Sequence, residues 1–249
     1  MTLHRIQNLL TWSVLAVVAA VSWWILTMPS ILLSGAELDV AKFFMHAMMH
    51  PADMVTYLTV TAIMWVLMMV AMMVPVALPT GMVFRQVYKG TQINRGTLFF
   101  FSGYLLVWFI FAGVAALLQY LGNTMGYMQM EAFALKSILA GWLLILAGLY
   151  QLSPMKEVCL RHCQSPLGFF VGNWREGLLG ALEMGARHGL YCVGCCWMLM
   201  LLMFVGGTMS LLTMSALCLF MLFERTLSGY AAAIPSALMI AAGVVLIIL

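Results

Sequence analysis

Four stretches of this chain, Leu9–Leu26, Val55–Phe84, Leu98–Leu121 and Tyr230–Leu249, contain no charged residue. Each reaches or passes the roughly 18–20 apolar residues that a helix needs to cross a bilayer. Of the whole chain only 8% is charged and 65% is apolar, against about 25% and 45–50% in soluble globular domains. On composition a water-soluble domain is excluded, and the expected fold is all-α: one polytopic transmembrane helical bundle over residues 1–249. Hydropathy gives about seven spans, near 9–33, 55–84, 97–121, 132–152, 187–206, 209–223 and 228–249. The first is read as a retained span, because it is too long for the apolar core of a leader and Ser34-Gly35-Ala36 is a weak cleavage site.

Lys and Arg favour cytoplasmic loops. With the N-terminus inside, the inner side receives Arg5, Arg85, Lys89, Arg95, Lys156, Arg161, Arg175, Arg187 and Arg225, and the outer side only Lys42 and Lys136. The expected location is the inner membrane of a bacterium, with lipid as the surrounding phase. The net charge of +3 is small and dispersed, and no basic stripe with interleaved aromatics suggests a nucleic acid.

Sulfur is abundant: 24 Met and 6 Cys. Met fills irregular apolar cores and is also a soft ligand that needs no deprotonation. All six Cys fall in inner loops or within spans, which suits an oxidising outside and a reducing inside. The outer loops carry Met45-His46-Ala47-Met48-Met49-His50 and Met125-Gly126-Tyr127-Met128-Gln129-Met130.

In the second span, Met54, Met64, Met68, Met72 and Met82 project within about an 80° arc, with Met69 and Met73 beside it. Pro75 and Pro79 interrupt its inner end. A thioether stripe of this kind also serves simple helix packing. In the fifth span, Met184, His188, Cys192, Cys195, Cys196, Met200 and Met203 fall within about 160° if the helix is continuous. Imidazole and three thiols turn that stripe from packing material into a candidate ligand set. Softness then favours Cu(I), or another soft transition metal, over hard cations. Cys159 and Cys163 at i, i+4, with His162 adjacent, form a candidate inner acceptor with too few ligands for a structural zinc site. Glu183 and Arg187 are expected to pair, and Glu224-Arg225 is expected to mark an inner turn.

Four motifs carry a resemblance. They are Trp65-x-x-Met68-x-x-Ala71-Met72-Met73-x-Pro75-x-x-x-Pro79, Gly103-Tyr104-x-x-x-Trp108, Cys159-Leu160-x-x-Cys163-x-Ser165-Pro166-Leu167, and His188-Gly189-x-x-Cys192-x-Gly194-Cys195-Cys196-Trp197-x-Leu199-Met200. From about residue 60 to the end the chain resembles the family of predicted metal-binding integral membrane proteins of unknown function. The resemblance implies metal binding in a membrane protein and names no reaction; the Met/His cluster at 45–50 is outside it.

The functional expectation is Cu(I) binding and transfer or transport. Met45, His46, Met49 and His50 would collect the ion, together with Met125, Met128 and Met130. Met68, Met72 and Met73 would meet His188, Cys192, Cys195 and Cys196 within the bundle, and Cys159, His162 and Cys163 would receive it. No Gly-x-x-x-x-Gly-Lys-[Ser/Thr] loop supplies nucleotide-driven transport, and no catalytic set is evident. The expected partners are membrane-complex subunits or a periplasmic metal carrier. The alternatives are a noncatalytic subunit or assembly factor delivering metal to a larger membrane complex, and a membrane thiol redox protein using Cys192 and Cys195 with Cys196 or Cys159 as resolving thiol.

Overall fold

The computed structural model describes residues 17, 19–24, 53–88, 92–129, 134–208, 210–226 and 233–248. Most of the first expected span lies outside the described residues, as do Met45, His46, Met49, His50 and Met130. The described chain is overwhelmingly helical. Helix α1 runs Met54–Val87 and α2 Ile93–Thr124, followed by a two-residue antiparallel pair, β1 Met128–Gln129 and β2 Ala134–Leu135. Then come α3 Ser137–Gln151, α4 Pro154–Gln164, α5 Pro166–Asn173, α6 Gly177–Leu201, α7 Met203–Gly206, α8 Leu211–Thr226 and α9 Ala233–Ile248.

Among the described residues, three helical stretches are long and apolar enough to cross a membrane: Met54–Val87, Ile93–Thr124 and Gly177–Gly206. Helices α3 and α4 make a fourth if their pair, bent by 64°, is one span, and α9 is a shorter apolar helix.

Helix α1 starts where the Asp53 carboxylate accepts from Thr56 N at 3.1 Å, satisfying one amide that the first turn leaves open. Over 34 residues, it extends about 51 Å at 1.5 Å per residue. It continues through Pro75 and Pro79, although each removes a backbone donor. The carbonyl that Pro75 deprives is Ala71 O, and Trp23 Nε1 donates to it at 2.9 Å. An indole from the N-terminal helical segment thus replaces the missing amide. Met64, Met68, Met69, Met72 and Met73 are buried, whereas Met54 and Met82 at the two ends are half exposed.

Helices α1, α2, α6 and α4 form the main bundle, and α3 packs along α9. Close approach of α2 and α6 depends on glycine: a Cβ at Gly103 would fall 2.0 Å from Leu182 O, and one at Gly185 would fall 1.9 Å from Phe100 O. Small residues are what allow two membrane helices to bring their backbones together.

Two boundaries depart from the sequence expectation. Helix α6 begins at Gly177, ten residues before Arg187, because that charge does not end the helix. Its guanidinium pairs with Glu183 at 2.9 Å, and Glu183 also takes Arg175 at 3.1 Å. At the start of the expected fourth span, Ala134 and Leu135 pair with Gln129 and Met128 as strands, so the helix begins only at Ser137.

Candidate metal centre

Cys192 and Cys195 lie one helical turn apart on α6 and therefore share a face. Cys163 reaches the same point from α4. The three sulfurs lie within 4.8 Å of one another and all three residues are buried. A metal–sulfur bond of about 2.3 Å would set trigonal sulfurs about 4 Å apart, so a small contraction would close this group on an ion. Among the described residues the group has three His, Cys or carboxylate members, which suits a trigonal soft ion better than a closed tetrahedral one.

Helix α4 is positioned by its ends. Ser153 Oγ accepts from Lys156 N at 3.2 Å, with Pro154 in the first turn. The helix stops at Ser165 before Pro166, where proline disfavours helical geometry for the preceding residue. Between them Cys163 is directed into the three-sulfur group, and Cys159 packs on Gly194, where an added Cβ would fall 2.6 Å from Cys159 Sγ. The Tyr150 hydroxyl donates to the carbonyl of Gly194, joining α3 to the same seam. His162 turns away: its ring stacks on Tyr191 at 4.2 Å, and its Nδ1 lies 2.8 Å from Val158 O. The three residues read as one inner acceptor are thus divided among the buried group, the α4–α6 seam and a peripheral stack.

Cys192 is the hub. Tyr104 Oη lies 3.3 Å from its sulfur, and Arg225 Nη2 donates to that sulfur at 3.3 Å. Tyr104 also reaches Met73 O at 3.3 Å, and Arg225 Nη1 donates to Val76 O. Both second contacts fall on the stretch of α1 around Pro75, so α1 meets the cysteines through its carbonyls and two intermediary side chains. The thioethers of Met68, Met72 and Met73 are buried in the same core. Cys195 and Cys196 donate to Cys192 O at 3.1 and 2.8 Å. Cys196 is buried beside the three-sulfur group but is not a member of it.

His188, one turn before Cys192, is fully buried among Phe100, Tyr104 and Phe169, with ring centroids at 6.1, 5.7 and 5.4 Å. Neither ring nitrogen has a hydrogen-bond partner among the described residues. A buried polar group of that kind is costly unless something else satisfies it, and an imidazole nitrogen beside a thiol is a competent soft-metal ligand. Six of the seven stripe residues, Met184 to Met200, lie on α6 and the seventh, Met203, opens α7; all seven are buried. Met125 is exposed and Met128 buried near the β1–β2 pair. Cys218 stands apart, with its sulfur 3.9 Å from Met72 O, and all six cysteines are free thiols.

Sequence reasoning missed Tyr104, Arg225, Lys156 and Glu224. Glu224 does not merely mark a turn: its carboxylate holds the buried Lys156 Nζ at 2.6 and 2.8 Å. The available signal was a charged pair closing an apolar helix, since ionisable residues at membrane depth face a bundle interior and find partners there.

No curated protein and no solved structure matches this chain. A family model does: that of PpoB2, described as a copper chaperone, over residues 62–249. That range contains the three-sulfur group, His188, Tyr104 and Arg225, and it leaves out the Met/His cluster at 45–50. A metal-related family over most of the chain agrees with the motifs read in the sequence, and its description replaces an unspecified metal role with copper. With well over half its length matched, the chain belongs to the PpoB2 copper chaperone family.

Proposed function

We propose that this protein is a multi-pass component of the bacterial inner membrane, N-terminus inside, that binds Cu(I) within its helical bundle and hands it on. The observation that carries the reading is the convergence of Cys163, Cys192 and Cys195 from two helices into one buried group within 4.8 Å. Soft sulfur donors in trigonal number favour Cu(I). Membership of a copper chaperone family supports the same cargo. Three membrane-length helices, one bent pair and the short apolar α9 support a polytopic bundle, and the loop charges support its orientation.

In this reading His188 is a further ligand recruited during exchange, and Met68, Met72, Met73 and Cys196 surround the site with soft donors. Met45, His46, Met49 and His50 collect copper on the outer side. Cys159 and His162 lie on the path by which it leaves toward a receiving protein, whether a membrane-complex subunit or a mobile carrier. Stepwise exchange of ligands spares the ion from ever standing bare in a low dielectric.

The test is Cu(I) affinity measured against a competing chelator under reducing conditions. Cys163→Ser and Cys192→Ser should each weaken binding by at least about a hundredfold, since each removes one of three soft ligands. Cys218→Ser should leave binding within about twofold. Equal affinity in all three variants would refute the site.

A further inference from the structure

Helix α4 brings the third sulfur to the site; it packs on α6 and is tied in addition to α8 by polar contacts. Its N-terminal turn is fixed by Lys156, whose Nζ bonds both carboxylate oxygens of Glu224 at 2.6 and 2.8 Å with both side chains buried. Its last residue, Gln164, donates from Nε2 to the backbone carbonyl of the same Glu224 at 2.8 Å. One residue of α8 therefore grips α4 at both ends, and Cys159 and Cys163 lie between the grips. The next residue, Arg225, reaches Cys192 and α1. The opposite face of α4 is open, with the Glu157–Arg161 pair on it largely exposed. Serine–proline junctions bound the helix on both sides, Ser153-Pro154 and Ser165-Pro166, and it meets α3 at 64°.

A buried ion pair adds little net stability compared with an apolar pair of the same size, yet removing one partner is costly. Such a pair makes docking specific without making it tight. We infer that α4 is a hinged arm and that Lys156–Glu224, with Gln164, is the latch that docks it. This rests on the copper reading above for its cargo. With the latch closed, Cys163 completes the three-sulfur group. With it open, α4 withdraws Cys163 and leaves Cys192 and Cys195, so copper passes from three sulfurs to two. The exchange needs no redox partner: the Cu–Sγ bond of Cys163 breaks as copper bonds a thiol sulfur of the receiving protein. That thiol's proton moves to Cys163, and copper stays Cu(I) throughout.

The experiment uses the full chain in lipid nanodiscs. Alkylation of Cys163 is followed without metal, with buried Cys218 as the reporter of intact folding, and the sulfur coordination of bound Cu(I) is read by X-ray absorption. Glu224→Gln and Gln164→Ala should each speed Cys163 alkylation, by at least about tenfold and about threefold respectively, while Cys218 stays protected. Copper in Glu224→Gln should show two sulfurs in place of three. Unchanged Cys163 protection in both variants overturns the latch, as does three-sulfur coordination in a folded Glu224→Gln. If Glu224→Gln also exposes Cys218, Gln164→Ala decides alone, and an unchanged Cys163 rate there overturns the proposal. The alkylation arm needs no copper, so a protein that binds none would sink the copper reading and still report on the latch.

Discussion

At Cys192 four helices meet around one sulfur: its own α6, Tyr104 from α2, Arg225 from α8 and Cys163 from α4. A sulfur with a guanidinium and a phenol at 3.3 Å is suited to carrying negative charge, because charge-assisted contacts strengthen where water is excluded. Arg225 has a second tie, to Val76 O between Pro75 and Pro79 of α1, so its position is set by α1 as well as by Cys192. Its contribution is both charge and geometry. Arg225→Leu should lower Cu(I) affinity by about tenfold, or about 1.4 kcal/mol. Arg225→Lys should recover part of that, since an ammonium supplies the charge but lacks the fork that holds sulfur and carbonyl together. Chelator competition on the three proteins measures the order; equal affinities would reduce Arg225 to a structural tie between α8 and α1.

Among the elements, the α2–α6 crossing determines whether Tyr104 and Cys192 can face each other. Phe100 O and Leu182 O occupy the space that side chains at Gly185 and Gly103 would need. Gly185→Ala should therefore push the helices apart and destabilise the bundle by about 3 kcal/mol or more, an overpacking cost at the upper end because the obstruction is backbone. Gly113→Ala, on the same α2 with nothing within 4 Å of the added carbon, should be tolerated and serves as the comparison in thermal unfolding. These crossings were not legible in the sequence: Gly103 entered only as part of the Gly103-Tyr104-x-x-x-Trp108 motif, and Gly185, between Glu183 and Arg187, lay outside the expected fifth span. The α6 face was legible, because His188, Cys192, Cys195 and Cys196 are ordered by helical spacing alone and all end up buried. Cys163 was legible as a candidate ligand but not as a partner of Cys192, since the bend between α3 and α4 is set by tertiary packing. Lys156, Glu224 and Arg225 were read as topology markers because hydropathy counts a charge without knowing whether another buried charge awaits it. The methionine stripe of α1 was legible in its middle and failed at Met54 and Met82, where the helix outruns its neighbours.

For the molecule as a whole, orientation determines which way copper can move in the proposed reading, since the charge bias puts the cysteine arm on the inner side and the Met/His cluster on the outer. Charge bias assigns Arg161 on α4 to the inner side and Lys136, just before α3, to the outer side. Both are exposed positions, and α3 separates them with 15 residues, about 22 Å at 1.5 Å per residue, short of the roughly 30 Å hydrocarbon thickness. If α3 and α4 form one span, the β1–β2 pair ahead of α3 and the bend after it make up the remaining depth, so this segment is the one whose labelling tests the topology. In a Cys159→Ser background, Lys136→Cys should react with a membrane-impermeant maleimide added to intact spheroplasts. Arg161→Cys should react only after the membrane is opened. Labelling of both from outside would make α3 and α4 a re-entrant hairpin, put the arm and its latch on the outer face, and reverse the direction of handover proposed for copper. The opposite pattern, Arg161→Cys outside and Lys136→Cys inside, would invert the entire bundle and place the Met/His cluster in the cytoplasm, where a reducing pool of thiols would compete with it for Cu(I).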